Sequence, residues 1–136
     1  MSKCRVLIVD DEPAFLTGLW GLFGQSYALF TAMNAGAALE ILARDPIAGT
    51  VSDYRMPEMN GLEVLSEFEK MPQAPLTVLM TGYPTVESAV ACLRSGVFDY
   101  VIKPFKLPEL LSTVQKGLKE LRRRRREEDL SGRLAY

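Results

Sequence analysis

Short apolar runs rich in Val, Ile, Leu and Tyr begin near Arg5, Tyr27, Gly49, Leu76 and Tyr100, and segments with helical spacing separate them. That alternation predicts an α/β chain, a doubly wound five-stranded parallel sheet with helices on both faces. The first helix is expected to start at Pro13, whose fixed φ suits a first helical position, and to bury Phe15, Leu16, Leu19, Trp20 and Phe23. Gly18, Gly21 and Gly24 weaken it. A second helix is predicted from Ala35 to Arg44, contributing Leu39 and Leu42, with Asp45-Pro46 as its stop.

After Asp53 comes a loop containing Pro57, then Asn60 as the cap of a third helix that buries Leu62, Leu65 and Phe68. Pro72 and Pro75 bracket the next turn. Thr85 caps a fourth helix in which Val86, Ala89, Val90 and Leu93 form an amphipathic stripe, and Gly96 ends it. The last helix, from Pro108, carries Leu111, Val114, Leu118 and Leu121 at alternating four- and three-residue steps, a seam suited to covering the sheet or meeting a partner helix. The seam fails at Arg125. This divides the chain into a domain over residues 1–121 and a charged helix extension or linker over 122–136.

With 136 residues the chain fits one ordinary domain, able to bury roughly two thirds of its unfolded surface. The formal net charge of −1 points to no partner, but the signs are unevenly placed: acids at Asp10 to Glu12, five arginines from Arg122 to Arg126. On a continuing helix Arg123, Arg124 and Arg125 face Glu127, Glu128 and Asp129, so a solvated extension is preferred to a nucleic-acid contact. Cys4 and Cys92 match no metal-ligand spacing and are expected as packed thiols, which favours a reducing, cytoplasmic setting. There is no signal-peptide core, and no apolar run approaches the ~18 residues of a membrane span.

Four predicted strands end in reactive side chains: Asp10-Asp11 after Val9, Asp53 after Ser52, Thr81 after Met80 and Lys103 after Ile102. The carboxyl ends of parallel strands open onto one crevice, so these residues can meet around a single ligand. If three carboxylates lie about 5 Å apart, each like-charge pair costs on the order of 3 kcal/mol at an effective dielectric of about 20. Lys103 supplies one compensating charge and Mg2+ two more, and oxygen ligands suit magnesium. Thr81 can donate to a phosphoryl oxygen and Lys103 can pair with another, while Gly82 leaves backbone N–H groups accessible. The set suits metal-assisted phosphoryl transfer, with Asp53 as the acceptor.

The fragments Leu7-Ile8-Val9-Asp10-Asp11-Glu12, Asp53-Tyr54-Arg55-Met56-Pro57-Glu58-Met59-Asn60-Gly61, Met80-Thr81-Gly82-Tyr83 and Phe98-Asp99-Tyr100-Val101-Ile102-Lys103-Pro104-Phe105 resemble, in order, the receiver domain of two-component response regulators. The resemblance covers about residues 4 to 121. It implies a flavodoxin-like receiver fold and a signalling switch, not an enzyme, in which Asp53 accepts a phosphoryl group from a sensor histidine kinase or a histidine phosphotransfer protein. It also implies that Asp10, Asp11, Asp53 and the backbone carbonyl of Arg55 hold magnesium, that Thr81 and Lys103 bind the phosphoryl group, and that Tyr100 turns inward when Thr81 moves. The surface of the fourth helix, fifth strand and fifth helix would then change partners. Arg55 and Tyr83 lie where family side chains adjust the lifetime of the acyl phosphate.

The chain departs from the family pattern at Gly49-Thr50, which makes the third strand less apolar and softer than a central strand usually is. It has no histidine, so the phosphoryl group must come from another molecule. Two other classes compete: a phosphatase with an aspartyl nucleophile, whose usual Asp-x-Asp motif after the first strand is missing, and an interaction module that keeps the fold without the chemistry. A homodimer through the fifth helix is expected from the seam, and residues 122–136 read either as the start of a connection to an output domain or as the end of a stand-alone receiver.

Overall fold

A computed structural model describes residues 3–55, 61–71 and 73–134. The elements run β1 (Arg5–Val9), α1 (Pro13–Phe23), β2 (Ala28–Ala32), α2 (Ala35–Arg44), β3 (Gly49–Asp53), α3 (Gly61–Glu69), β4 (Leu76–Thr81), α4 (Val86–Arg94), β5 (Asp99–Ile102) and α5 (Leu107–Leu134). The strands form one sheet in the order β2-β1-β3-β4-β5, every pair parallel. Chain direction across the sheet reverses between β1 and β3, which opens a crevice beyond their carboxyl ends. The expected starts at Tyr27 and Tyr100 each shift by one residue, and Asn60, Pro57 and Pro72 lie outside the described residues.

Successive strand residues point to opposite faces, so the sheet feeds two apolar layers. Val6 and Ile8 of β1 join Val51, Val78 and Met80 under α1 and α5, with Leu16, Leu19, Phe23, Leu110, Val114 and Leu118. Leu7 and Val9 face the other way, toward Ala32, Ala38 and Ile47, and a neighbouring cluster joins Ala35 to Val64 and Phe68 of α3. Thus the seam of α5 covers its own sheet: Leu110, Val114 and Leu118 are buried, while Leu111 and Leu121 are half-buried at its margins.

Gly49 serves this packing. A Cβ there would lie 3.1 Å from Leu118 Cδ2, and one on Gly117 would lie 2.3 Å from Leu76 Cδ2 and 3.0 Å from Phe98 Cδ2. The two glycines let α5 approach the sheet closely. Beside Gly49, the buried Thr50 hydroxyl pairs with that of Thr77 at 2.9 Å, so the polar residue in this central strand is satisfied.

Phe15 is only half-buried, and two further expectations fail outright. Trp20 is 48% exposed, because the face of α1 turned to the sheet is filled by Leu16, Leu19 and Phe23, leaving the bulky ring at the margin. The stripe of α4 is turned outward: Val86 is 81% exposed, Leu93 79% and Val90 40%. The residues α4 buries are Ser88 and Cys92. Cys4 is half-buried, and both thiols are free.

The charged extension continues α5 without interruption to Leu134. The Arg123–Glu127 pair forms as expected. Among the described residues, however, Arg124 and Arg125 make no ion pair with Glu128 and Asp129; Glu120 instead accepts from Arg123 Nη2 at 2.7 Å and from Arg124 Nε at 3.1 Å. A glutamate one turn before its arginine is the favoured helical orientation.

Candidate functional site

Backbone pairing carries on one residue past the strand ends and so places the reactive residues at one level. The register sets Val9 beside Ser52, Asp53 beside Met80 and Thr81 beside Ile102. Beyond it, the Asp10 N–H donates to Ala32 O at 3.0 Å, Tyr54 to Met80 O at 2.7 Å, and Lys103 to Thr81 O at 2.7 Å. Asp10, Asp53, Thr81 and Lys103 therefore follow one another across the mouth of the sheet. The peptide bond between Lys103 and Pro104 is cis.

Asp10 is fully buried. Its Oδ1 accepts from the Glu12 N–H at 2.9 Å and its Oδ2 from Lys103 Nζ at 2.9 Å. Asp53, half-buried, accepts from the Arg55 N–H at 3.3 Å on Oδ1 and from Lys103 Nζ at 3.3 Å on Oδ2. Lys103 thus bridges two carboxylates 43 positions apart in sequence. Asp11 is exposed, yet Asp10, Asp11 and Asp53 each bring a carboxylate oxygen within 4.8 Å of the others.

Three acids face one lysine. Burial pushes the Asp53 carboxyl above the ordinary aspartate range, and the charge of Asp10 adds to this, against the opposing pull of Lys103 and the Arg55 N–H. Burial alone would lower the Lys103 ammonium; its hydrogen bond to Asp10 and the charges of Asp53 and Asp10 outweigh that and raise it. The donor set of clustered carboxylate oxygens, under-neutralised and open to solvent on one side, fits a hard divalent cation such as Mg2+.

The cleft above Asp53 has a volume of about 580 Å3 and is walled by Glu12, Phe15, Arg55, Thr81, Gly82, Tyr83, Lys103, Pro104 and Phe105. The Thr81 side chain is buried, and its Oγ1 accepts from the Tyr83 N–H at 3.1 Å, which leaves its own hydrogen free to donate. Phe15 stacks edge-on against Phe105, and Lys103 Nζ lies 5.1 Å from the Phe15 ring centre. The Arg55 guanidinium sits 4.8 Å over the Tyr83 ring and forms a roof. Tyr100 is half-buried to one side, its hydroxyl 2.9 Å from Ser88 Oγ.

All five strand-end residues are therefore brought together, and Tyr100 stands apart from them. The sequence singles out Arg55 and Tyr83 but not their contact, and it does not single out the aromatic wall of Phe15 and Phe105 or Ser88. Only Ser88 had a local signal, its place three residues after the Thr85 cap.

The response regulator receiver domain model matches residues 6–115. The chain is 43% identical over 115 residues to the regulatory protein AtoC of Escherichia coli (strain K12), covering 84% of this chain and 25% of that protein. It thus spans about a quarter of the length of that curated relative. The crystal structure of a CheY-like receiver domain protein from Methanospirillum hungatei JF-1 superposes with a TM-score of 0.84 at 29% identity, covering 90% of this chain and 99% of that one. The solution structure of the beryllofluoride-activated NtrC4 receiver domain dimer matches with a TM-score of 0.79 at 25% identity, over 86% and 98% of the two chains.

Proposed function

The chain belongs to the response regulator receiver domain family, the phosphoacceptor switches of two-component systems, and from that premise we propose that Asp53 is its phosphoacceptor. The observation that carries this is the meeting of Asp10, Asp11, Asp53 and Lys103 at the carboxyl edge of the sheet, with Asp53, Thr81 and Lys103 lining one open cleft. In the proposed reaction an Asp53 carboxylate oxygen attacks the phosphorus of a phosphohistidine on a sensor kinase or phosphotransfer protein. The P–O bond forms as the P–N bond breaks, and the imidazole leaves with the electron pair.

Each neighbour then has a task. Asp10, Asp11, Asp53 and the Arg55 carbonyl would hold Mg2+, which would supply positive charge to offset that of the transferring group. Lys103, already poised between Asp10 and Asp53, pairs with one phosphoryl oxygen, and the Thr81 hydroxyl donates to another. Tyr100 is the element that responds when Thr81 is drawn toward the new group. The exposed face formed by Val86, Val90, Leu93 and Ile102 is the surface through which α4, β5 and α5 meet an output partner or a second copy.

Residues 1–121 form the receiver in this reading, and 122–136 a helical connection to an output domain, supported by the unbroken run of α5 to Leu134. Among the described residues no helix is long and apolar enough to cross a membrane. The central test is incorporation of phosphate from acetyl phosphate with Mg2+. The parent protein is expected to be labelled, Asp53→Asn to be unlabelled, and Lys103→Ala to be labelled more slowly by on the order of 100-fold. Equal labelling of parent and Asp53→Asn sinks the assignment, and rapid turnover of simple phosphate esters would favour a phosphatase.

A further inference from the structure

Granting that Asp53 is the phosphoacceptor and that Tyr100 answers Thr81, we propose that Ser88 is a positioning residue, a latch that ties Tyr100 of β5 to the first turn of α4 in the resting protein. The tie matters because, among the described residues, α4 buries little. Its apolar stripe faces outward, and the residues it buries are Ser88 and Cys92, both small.

Hydrogen-bond accounting around Ser88 shows how the latch works. Its Oγ has four polar neighbours: Thr85 N at 3.1 Å, Thr85 O at 3.0 Å, Thr85 Oγ1 at 3.0 Å and Tyr100 Oη at 2.9 Å. A hydroxyl offers one hydrogen and two lone pairs, so it cannot serve all four. The Thr85 N–H takes one lone pair, while the Thr85 carbonyl already accepts from the Ala89 N–H at 3.0 Å and does not require the Ser88 hydrogen. That carbonyl and the Tyr100 and Thr85 hydroxyls therefore share the one hydrogen and one lone pair that remain, and either oxygen of the Ser88–Tyr100 pair can be the donor.

Departure of Tyr100 therefore leaves the Ser88 hydroxyl paired, because Thr85 offers it both a donor and an acceptor. Thr85 Oγ1 still accepts from the Ser88 N–H at 3.0 Å, so the reciprocal cap of α4 survives in both arrangements. Release cuts the link between α4 and β5 without unwinding the helix. An exchange between two satisfied bonding patterns is a bistable element, which a ligand at Asp53 can bias at small cost.

The latch is tested by calorimetric titration of the protein with beryllium fluoride in excess Mg2+. Tyr100→Phe keeps the ring and the cap of α4 and deletes only the hydroxyl. It is expected to lower the half-saturating concentration roughly two- to tenfold, the effect of losing one hydrogen bond from the resting state. Ser88→Ala should move in the same direction, and the double variant should gain no more than the better single one, because both remove the same bond. Tyr100→Phe decides the matter alone if Ser88→Ala fails to fold. Unchanged or weakened binding by Tyr100→Phe, or gains that multiply in the double variant, would overturn the latch while leaving the phosphoacceptor in place. A parent protein that ignores beryllium fluoride would overturn the phosphoacceptor assignment and the latch with it.

Discussion

Helices α4 and α5 carry the same kind of apolar repeat and are held in opposite ways. In α5 the repeat is spent on the sheet: Leu110, Val114 and Leu118 are buried among Val51, Val78 and Met80. In α4 the repeat looks outward, the helix buries only the small Ser88 and Cys92 among the described residues, and the Ser88 hydroxyl bonds Tyr100 of β5. Each leucine buried by α5 contributes about 1.5–3 kcal/mol, whereas a single hydrogen bond contributes about 0.5–1.5 kcal/mol. One helix is scaffold, and the other is attached weakly enough to move. Elements that shift in switching come from the low-stability end of a fold for this reason.

The largest effect should come from the scaffold. Leu118→Ala is expected to lower unfolding free energy by about 2–5 kcal/mol in urea titrations, through lost transfer energy and a cavity beside Gly49. A loss under about 1 kcal/mol would erase the contrast. Next, Gly117→Val should cost about 1–3 kcal/mol, because its side chain must displace Leu76 and Phe98, and a neutral result would mean that close seating of α5 does not depend on this glycine.

Smaller effects belong to α4. Thr85→Ala removes a cap and should cost about 1 kcal/mol, read as faster amide exchange in the first turn of α4 with the amides of α5 unaffected. Uniform acceleration in both helices would make α4 part of the scaffold after all. Smallest of all, Leu93→Gln should leave stability within about 0.5 kcal/mol of the parent while weakening association of the phosphorylated protein through the α4 face. If it destabilises like Leu118→Ala, the stripe of α4 is core and the division fails.

Much of this molecule is legible in its sequence. The start of α1 at Pro13, the cap at Thr85 and the four strand ends at Asp10, Asp53, Thr81 and Lys103 fall where local chemistry places them. Their meeting at one cleft follows from parallel strands sharing a carboxyl edge. The failures share a cause. Trp20 and the α4 stripe have the right spacing for burial, but a period only says which side chains share a face. Arg124 turned back to Glu120, because helix geometry favours that pair over the one ahead. Ser88 and Tyr100 are a dozen residues apart, and their bond required β5 to lie under α4.

Short-range forces act between near neighbours, so they are written into the chain directly: the run of strand and helix, the caps, the breakers, and which residue types stand at each strand end. Burial is a competition among all the elements for a limited sheet surface, and its outcome is set only when they are packed together. That competition gave α5 the space opened by Gly49 and Gly117 and turned the stripe of α4 outward. It also brought Lys103 between Asp10 and Asp53, leaving three carboxylates with one lysine and an excess of negative charge for a cation to balance.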